Sequence, residues 1–137
     1  MVAFVKYNCA VDVIDASLAT DTWKIALTNT APNVATHTVL ADITDLTTTG
    51  GYTAGGNSCA VTSWTNTAGT KKLILANPAT WTASGGGFTH RYSVLYNVTQ
   101  NKLFQYADYG SAVVMNGTNS DTFGVDLDAV NGVFTVA

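Results

Sequence analysis

Apolar and polar residues alternate with period two over most of this 137-residue chain. The longest such run is Phe88-Thr89-His90-Arg91-Tyr92-Ser93-Val94-Leu95-Tyr96-Asn97. Phe88, His90, Tyr92, Val94 and Tyr96 fall on one face of a strand, and Thr89, Arg91, Ser93, Leu95 and Asn97 on the other. Aromatic and β-branched residues suit a pleated packed surface, so the pattern predicts a strand here. Gly85-Gly86-Gly87 leads into it and the polar cluster 97–101 ends it. A second clean alternation, Thr22 to Asn29, places Trp23, Ile25 and Leu27 inward and Lys24 and Thr28 outward.

From residue 59 onward strands recur every 8–12 residues with turn signals between them. Cys59–Thr65, Lys71–Ala76 after the turn 66–69, Thr80–Ala83, Leu103–Tyr109, Ala112–Met115, Thr122–Leu127 and Gly132–Val136 all read as β. Two stretches break the pattern. Tyr7, Val11, Ile14 and Leu18 lie on one helical stripe, which predicts a short amphipathic helix over 8–17; a strand through Val11-Asp12-Val13 competes. Asn29 to Gly56 reads as a long loop, with Pro32 excluding a central ladder position and one helical turn over 39–46. The fold expected is mainly β: one domain over 1–137, an antiparallel β-sandwich or barrel with one short N-terminal helix and a long loop region.

Composition narrows the function. Charged residues make up 11% of the chain, glutamate is absent, and the net charge is −3. Ordinary domains carry about 25% charge. A clustered basic face for phosphates is missing, so nucleic acid is excluded as the main partner. Threonine, with 22 residues, supplies much of the polar surface instead. Such a neutral coat fits a surface covered by copies or partners as well as a free β-protein. No stretch reaches a membrane span and the N-terminus lacks the apolar core of a signal peptide. The expectation is synthesis in the cytoplasm without a membrane partner.

No motif for catalysis or for a cofactor emerges, and none is expected. Asp126 and Asp128 share a strand face without further ligands at a recognisable spacing, and Asp42 with Asp45 is no better. Cys9, His37, Cys59 and His90 match no zinc pattern. His90 reads as packed on the aromatic face, and the two cysteines as small buried apolar residues. No serine sits in a nucleophile elbow and no phosphate loop exists. Trp23, Trp64 and Trp81 raise the alternative of a carbohydrate-binding module, although each lies in a strand where core packing is the common fate. Arg91, the sole arginine, is expected to be structural, with Asp108 or an Asp of a neighbouring strand as its partner in a buried pair whose loss destabilises the fold.

Three early segments, Asp21–Pro32, Val39–Thr44 and Gly51–Gly56, resemble a family of small tailed-bacteriophage virion proteins. The similarity resumes at Arg91–Asn97, Asp108–Ser111 and Asp128–Val133, in order along nearly the whole chain. Cys9 and Cys59 depart from it. The resemblance implies a capsid decoration (cement) protein that binds the assembled shell, with the major capsid protein as partner and self-association as a trimer. Localisation in the virion follows from the same resemblance, and a tail or neck component is the alternative. On this reading the 29–56 loop and the chain ends carry the contacts, with Pro32, His37, Tyr52, Gly55 and Gly56 as candidate interface residues and Tyr52 presented between glycine pairs.

Overall fold

A computed structural model describes residues 2–9 and 16–136. Among the described residues ten strands build antiparallel sheets packed on one another in a sandwich-like arrangement, without a closed barrel. The main sheet has the order β1 (Phe4–Lys6), β8 (Lys102–Met115), β7 (Phe88–Asn97), β2 (Trp23–Thr28), β3 (Asn57–Cys59). A three-stranded sheet follows the order β10 (Phe134–Val136), β5 (Thr70–Leu75), β4 (Val61–Thr67). A short ribbon pairs β6 (Trp81–Thr82) with β9 (Thr122–Phe123).

β7 takes its central place because both its faces are fit to be buried. Tyr92 to Asn97 are all buried, flanked by β2 on one side and β8 on the other. The face toward the smaller sheets carries Trp23, Ile25, Leu27, Leu95 and Phe104, packed with Leu73, Leu75 and Trp81. Behind the sheet, Ala26, Val94, Tyr96 and Leu103 pack with Tyr7, Cys9 and Ile43, and with half-buried Val34 and Leu40. The loop 29–46 is thus a third layer over the sheet.

That layer corrects one expectation: Thr28 is buried, not solvated. Its hydroxyl donates to the Ile43 carbonyl at 2.5 Å and accepts the Thr30 N–H at 3.0 Å, so the polar atom is satisfied beneath the loop. The helical turn expected over 39–46 is a 3-10 turn, Leu40–Ile43. Most of the predicted N-terminal helix (residues 10–15) lies outside the described residues. A 3-10 turn, Ala16–Ala19, follows it, and among the described residues there is no α-helix.

Other boundaries moved for identifiable reasons. The run read as one strand from Cys59 turns a corner at Ala60, passing from the main sheet (Cys59 opposite Trp23) to the second (Val61 opposite Leu75). The stretches 103–109 and 112–115 belong to one strand, β8. It is bulged where residues 109–112 answer the single Arg91 of β7. The ladder expected over Thr122–Leu127 is confined to Thr122–Phe123. The turn joining β4 to β5 has Ala68 at φ 52° and Gly69 at φ 88°, the twin positive values of a tight hairpin turn.

Candidate functional site

The loop 29–56 is pinned to the sheet. Asn29 Nδ2 donates to the Thr89 carbonyl at 2.8 Å, the Asn8 N–H to the Val34 carbonyl at 2.9 Å, and the Leu46 N–H to the Leu27 carbonyl at 3.1 Å. Asp42 accepts the N–H groups of Thr38 and Val39 at 2.8 and 3.1 Å, which lowers its carboxyl pKa. A long loop with this many backbone anchors has little freedom left to lose on binding.

Asp45 and Tyr52 form the node that closes it. The Tyr52 hydroxyl donates to Asp45 Oδ1 and accepts the Leu27 N–H at 3.1 Å. Asp45 Oδ2 accepts the Gly55 N–H at 2.5 Å, and the Gly55 carbonyl accepts the Tyr96 hydroxyl at 2.7 Å. Burial and the neighbouring carboxylate push the Tyr52 phenol well above its ordinary pKa. Gly56, at φ +76°, lies so close to β2 that a Cβ would stand 1.7 Å from the Ile25 carbonyl oxygen. Only glycine admits that approach.

These contacts sort the five candidate interface residues. Tyr52 is 1% exposed and its ring lies 5.9 Å from that of Phe88, so it anchors the loop and is not presented to a partner. The glycine pair beside it lets its backbone close on the sheet, the opposite use of the same flexibility. Gly55 and Gly56 are spent inside the chain. Pro32 and His37 remain half-buried at the surface, the latter accepting the Asn33 N–H through Nδ1 at 3.2 Å. Between Asn29 and Ala41 the exposed residues are Asn29, Ala31, Asn33, Ala35, Thr36 and Ala41, all uncharged.

Arg91 and Asp108 do pair, two-pronged, at 2.8 and 3.0 Å. The pair raises the guanidinium pKa and lowers the carboxyl pKa. Both side chains are about two-fifths exposed (40% and 37%), so the buried pair expected from the sequence is a surface pair. It stands beside the bulge, where Asp108 Oδ1 also accepts the Gly110 N–H at 2.8 Å.

His90 sits in an apolar box. It is fully buried, edge-on to Phe123 with ring centroids 4.3 Å apart, and flanked by Phe88 and Tyr109. Neither ring nitrogen has a hydrogen-bond partner. Burial lowers its pKa to about 4, which keeps the imidazole neutral. Burial also raises the Cys59 thiol to about 12, so no thiolate forms near neutral pH. Cys9 and Cys59 are both buried and no disulfide joins them.

Surface concavities are shallow. One cleft of about 340 Å³ is lined by Val2, Phe4, Tyr109, Gly124, Val125 and Asp126, with a single carboxylate and no nucleophile beside a base. Among the described residues no three His, Cys, Asp or Glu side chains gather into a metal-binding group. No helix of the described residues is long and apolar enough to cross a membrane. Trp23 and Trp81 are buried, and half-buried Trp64 carries Lys71 Nζ over its ring at 4.6 Å, so none offers a bare aromatic platform for a sugar.

Two polar sites escaped the sequence reading. Asp45 is one, its role visible only through the partners that the fold brings to it. Asp21 is the other: 8% exposed, it accepts Asn97 Nδ2 at 2.8 Å and Gln100 Nε2 at 2.7 Å and ties β2 to the end of β7. The fold and these surfaces define a mainly β protein with a sandwich-like core and an anchored loop layer whose exposed residues are uncharged from Asn29 to Ala41 and end in the exposed carboxylate Asp42. No protein-family model, curated protein or solved structure matches the chain.

Proposed function

We propose that this chain is a non-enzymatic virion component, a capsid decoration protein that binds the assembled shell of a tailed bacteriophage and stabilises it. The sequence resemblance gives the class. The observation that carries the role is the loop layer 29–41, pinned to a rigid sheet yet uncharged on its exposed side. Binding through such a surface costs little ordering entropy and desolvates no ions. The major capsid protein is the partner, and Pro32 and His37 are the candidate contact residues that remain at the surface. Tyr52, Gly55 and Gly56 support the layer from within.

Sedimentation of infected-cell lysates tests the reading. The protein is expected with complete particles, at hundreds of copies each, and retained after a wash at about 1 M salt, where the Debye length is roughly 3 Å. A few copies per particle would place it in the tail or neck instead. Complete particles without the protein, or its release by salt alone, would overturn the proposal.

A further inference from the structure

Strands at the rim of a sheet expose unpaired backbone groups, and proteins guard them with brevity, charge, proline, a bulge or a cover. Among the described residues, β1, β3 and β10 are three residues long and β6 and β9 two; β4, with seven, is the long exception. Its sequence, Val61-Thr62-Ser63-Trp64-Thr65-Asn66-Thr67, has neither charge nor proline. The bulge lies at its root, between Val61 and Ser63; the turn Ala16–Ala19 packs against β4, and its Ala19 lines one hollow with Val61. From Ser63 to Thr67 the register against β5 is regular. The two nearest cations are held by their own chain, Lys71 over the Trp64 ring and Lys72 Nζ on the Val130 carbonyl at 3.0 Å.

We propose that this edge pairs antiparallel with the same edge of a second copy, about a two-fold axis through Thr65. The sequence is complementary to itself in that register. Ser63 meets the second copy's Thr67, Thr65 meets its counterpart, and Trp64 meets the second copy's Asn66. Hydroxyl lies opposite hydroxyl on the outer face, continuing the ladder that Ser63 and Thr65 already form at 3.0 Å. On the inner face the half-buried Trp64 stands opposite the second copy's exposed, uncharged Asn66. No like charges meet. Two three-stranded sheets become one of six strands, and the neutral edge is closed by an isologous contact.

The test uses the free full-length chain, so it stands apart from any shell. Sedimentation velocity from micromolar to millimolar concentration should show a reversible dimer. Thr65→Lys sets two ammonium groups against each other across the axis and should leave monomer, with an unchanged melting midpoint because Thr65 is exposed. The double variant Ser63→Lys/Thr67→Lys sets lysine opposite lysine at both ends of the ladder, should do the same, and serves if the first variant folds poorly. Thr65→Cys should cross-link on mild oxidation, since directly opposed Cβ atoms lie about 4.5–5.5 Å apart. Thr70→Cys, on β5, should not. The native thiols are buried and leave the readout to the new one. A chain monomeric at millimolar concentration overturns the proposal, as does a dimer indifferent to both lysine variants. A dimer that Thr65→Cys fails to trap overturns the register.

Discussion

Acid should weaken this protein through His90, and the size of the effect follows from where the ring sits. In the unfolded chain the imidazole has an ordinary pKa of about 6.5. In the fold it is enclosed by Phe88, Tyr109 and Phe123, without a hydrogen-bond partner, and its pKa falls to about 4. Above pH 6.5 both states hold it neutral and it contributes no pH dependence. Between pH 6.5 and 4 the unfolded chain takes up a proton that the folded chain refuses, so stability falls as the pH falls. Below about 4 both are protonated and the loss levels off. A difference of some 2.5 units at 1.36 kcal/mol each amounts to roughly 3 kcal/mol at most. Nine aspartates titrate near the lower end, so the measurement must be differential. Urea denaturation of the wild type and of His90→Leu, at steps from pH 7.5 to 4, isolates the histidine because the pH-independent packing change cancels from the slope. The variant removes two unpaired buried nitrogens and is expected to match or exceed the wild type at neutral pH. Its advantage should grow by roughly 3 kcal/mol toward pH 4. A flat difference curve, or an imidazole that titrates near 6.5 by NMR in the folded protein, would refute the argument.

Three further expectations concern the loop and the strand pair. Tyr52→Phe strands Asp45 Oδ1 and the Leu27 N–H, and should cost about 1–3 kcal/mol in denaturant unfolding; an unchanged midpoint would mean that water replaces the hydroxyl. Gly56→Ala forces a Cβ to within 1.7 Å of the Ile25 oxygen and should cost upward of about 4 kcal/mol, seen as loss of cooperative melting; tolerance would show that the loop moves off β2 without penalty. Arg91→Ala breaks only an exposed pair and should leave the melting midpoint nearly unmoved, so a large fall would mean that the pair supports the adjoining bulge.

The strands were legible where alternation and turn chemistry agree. β2, β7 and the β4–β5 hairpin stand close to their predicted places, and the 39/40, 43, 46 spacing did mark a helical turn. His90 packs beside Phe88, but the face predicted for Phe88, His90, Tyr92, Val94 and Tyr96 divides: Phe88 packs in one core with Leu95, whereas Val94 and Tyr96 pack behind the sheet. Alternation carries a tacit assumption that one face of a strand is wet, and here it fails. Thr28, Ser93 and Asn97 are buried because the loop and the strand ends bring partners to them. Tyr52 shows the same limit at the candidate site. Glycines on either side permit an aromatic to project or to be drawn inward, and the deciding atoms on Asp45 and Leu27 are set by the tertiary fold. The exposure of Arg91 and Asp108 was equally out of reach, since it depends on how far the main sheet extends past its covering layers.

The register of the main sheet also governs when the chain can fold. Phe4 lies opposite Ala107 and Trp23 opposite Asn97, so β1 and one edge of β2 wait for partners more than 70 residues further along the chain. Pairings that distant charge a large loop-closure entropy before any contact repays it, and all-β domains of this kind fold in milliseconds to seconds. During synthesis β1 therefore stays unpaired until β8 is made, and β2 has only the three-residue β3 as a strand partner until β7 follows. Two sizeable pairings need no distant partner: the β7–β8 hairpin, closed across residues 98–101, and the earlier β4–β5 hairpin, closed by its two-residue turn. The β4–β5 hairpin is also the stretch with the neutral free edge, which gives crowded nascent chains a way to meet before each is complete.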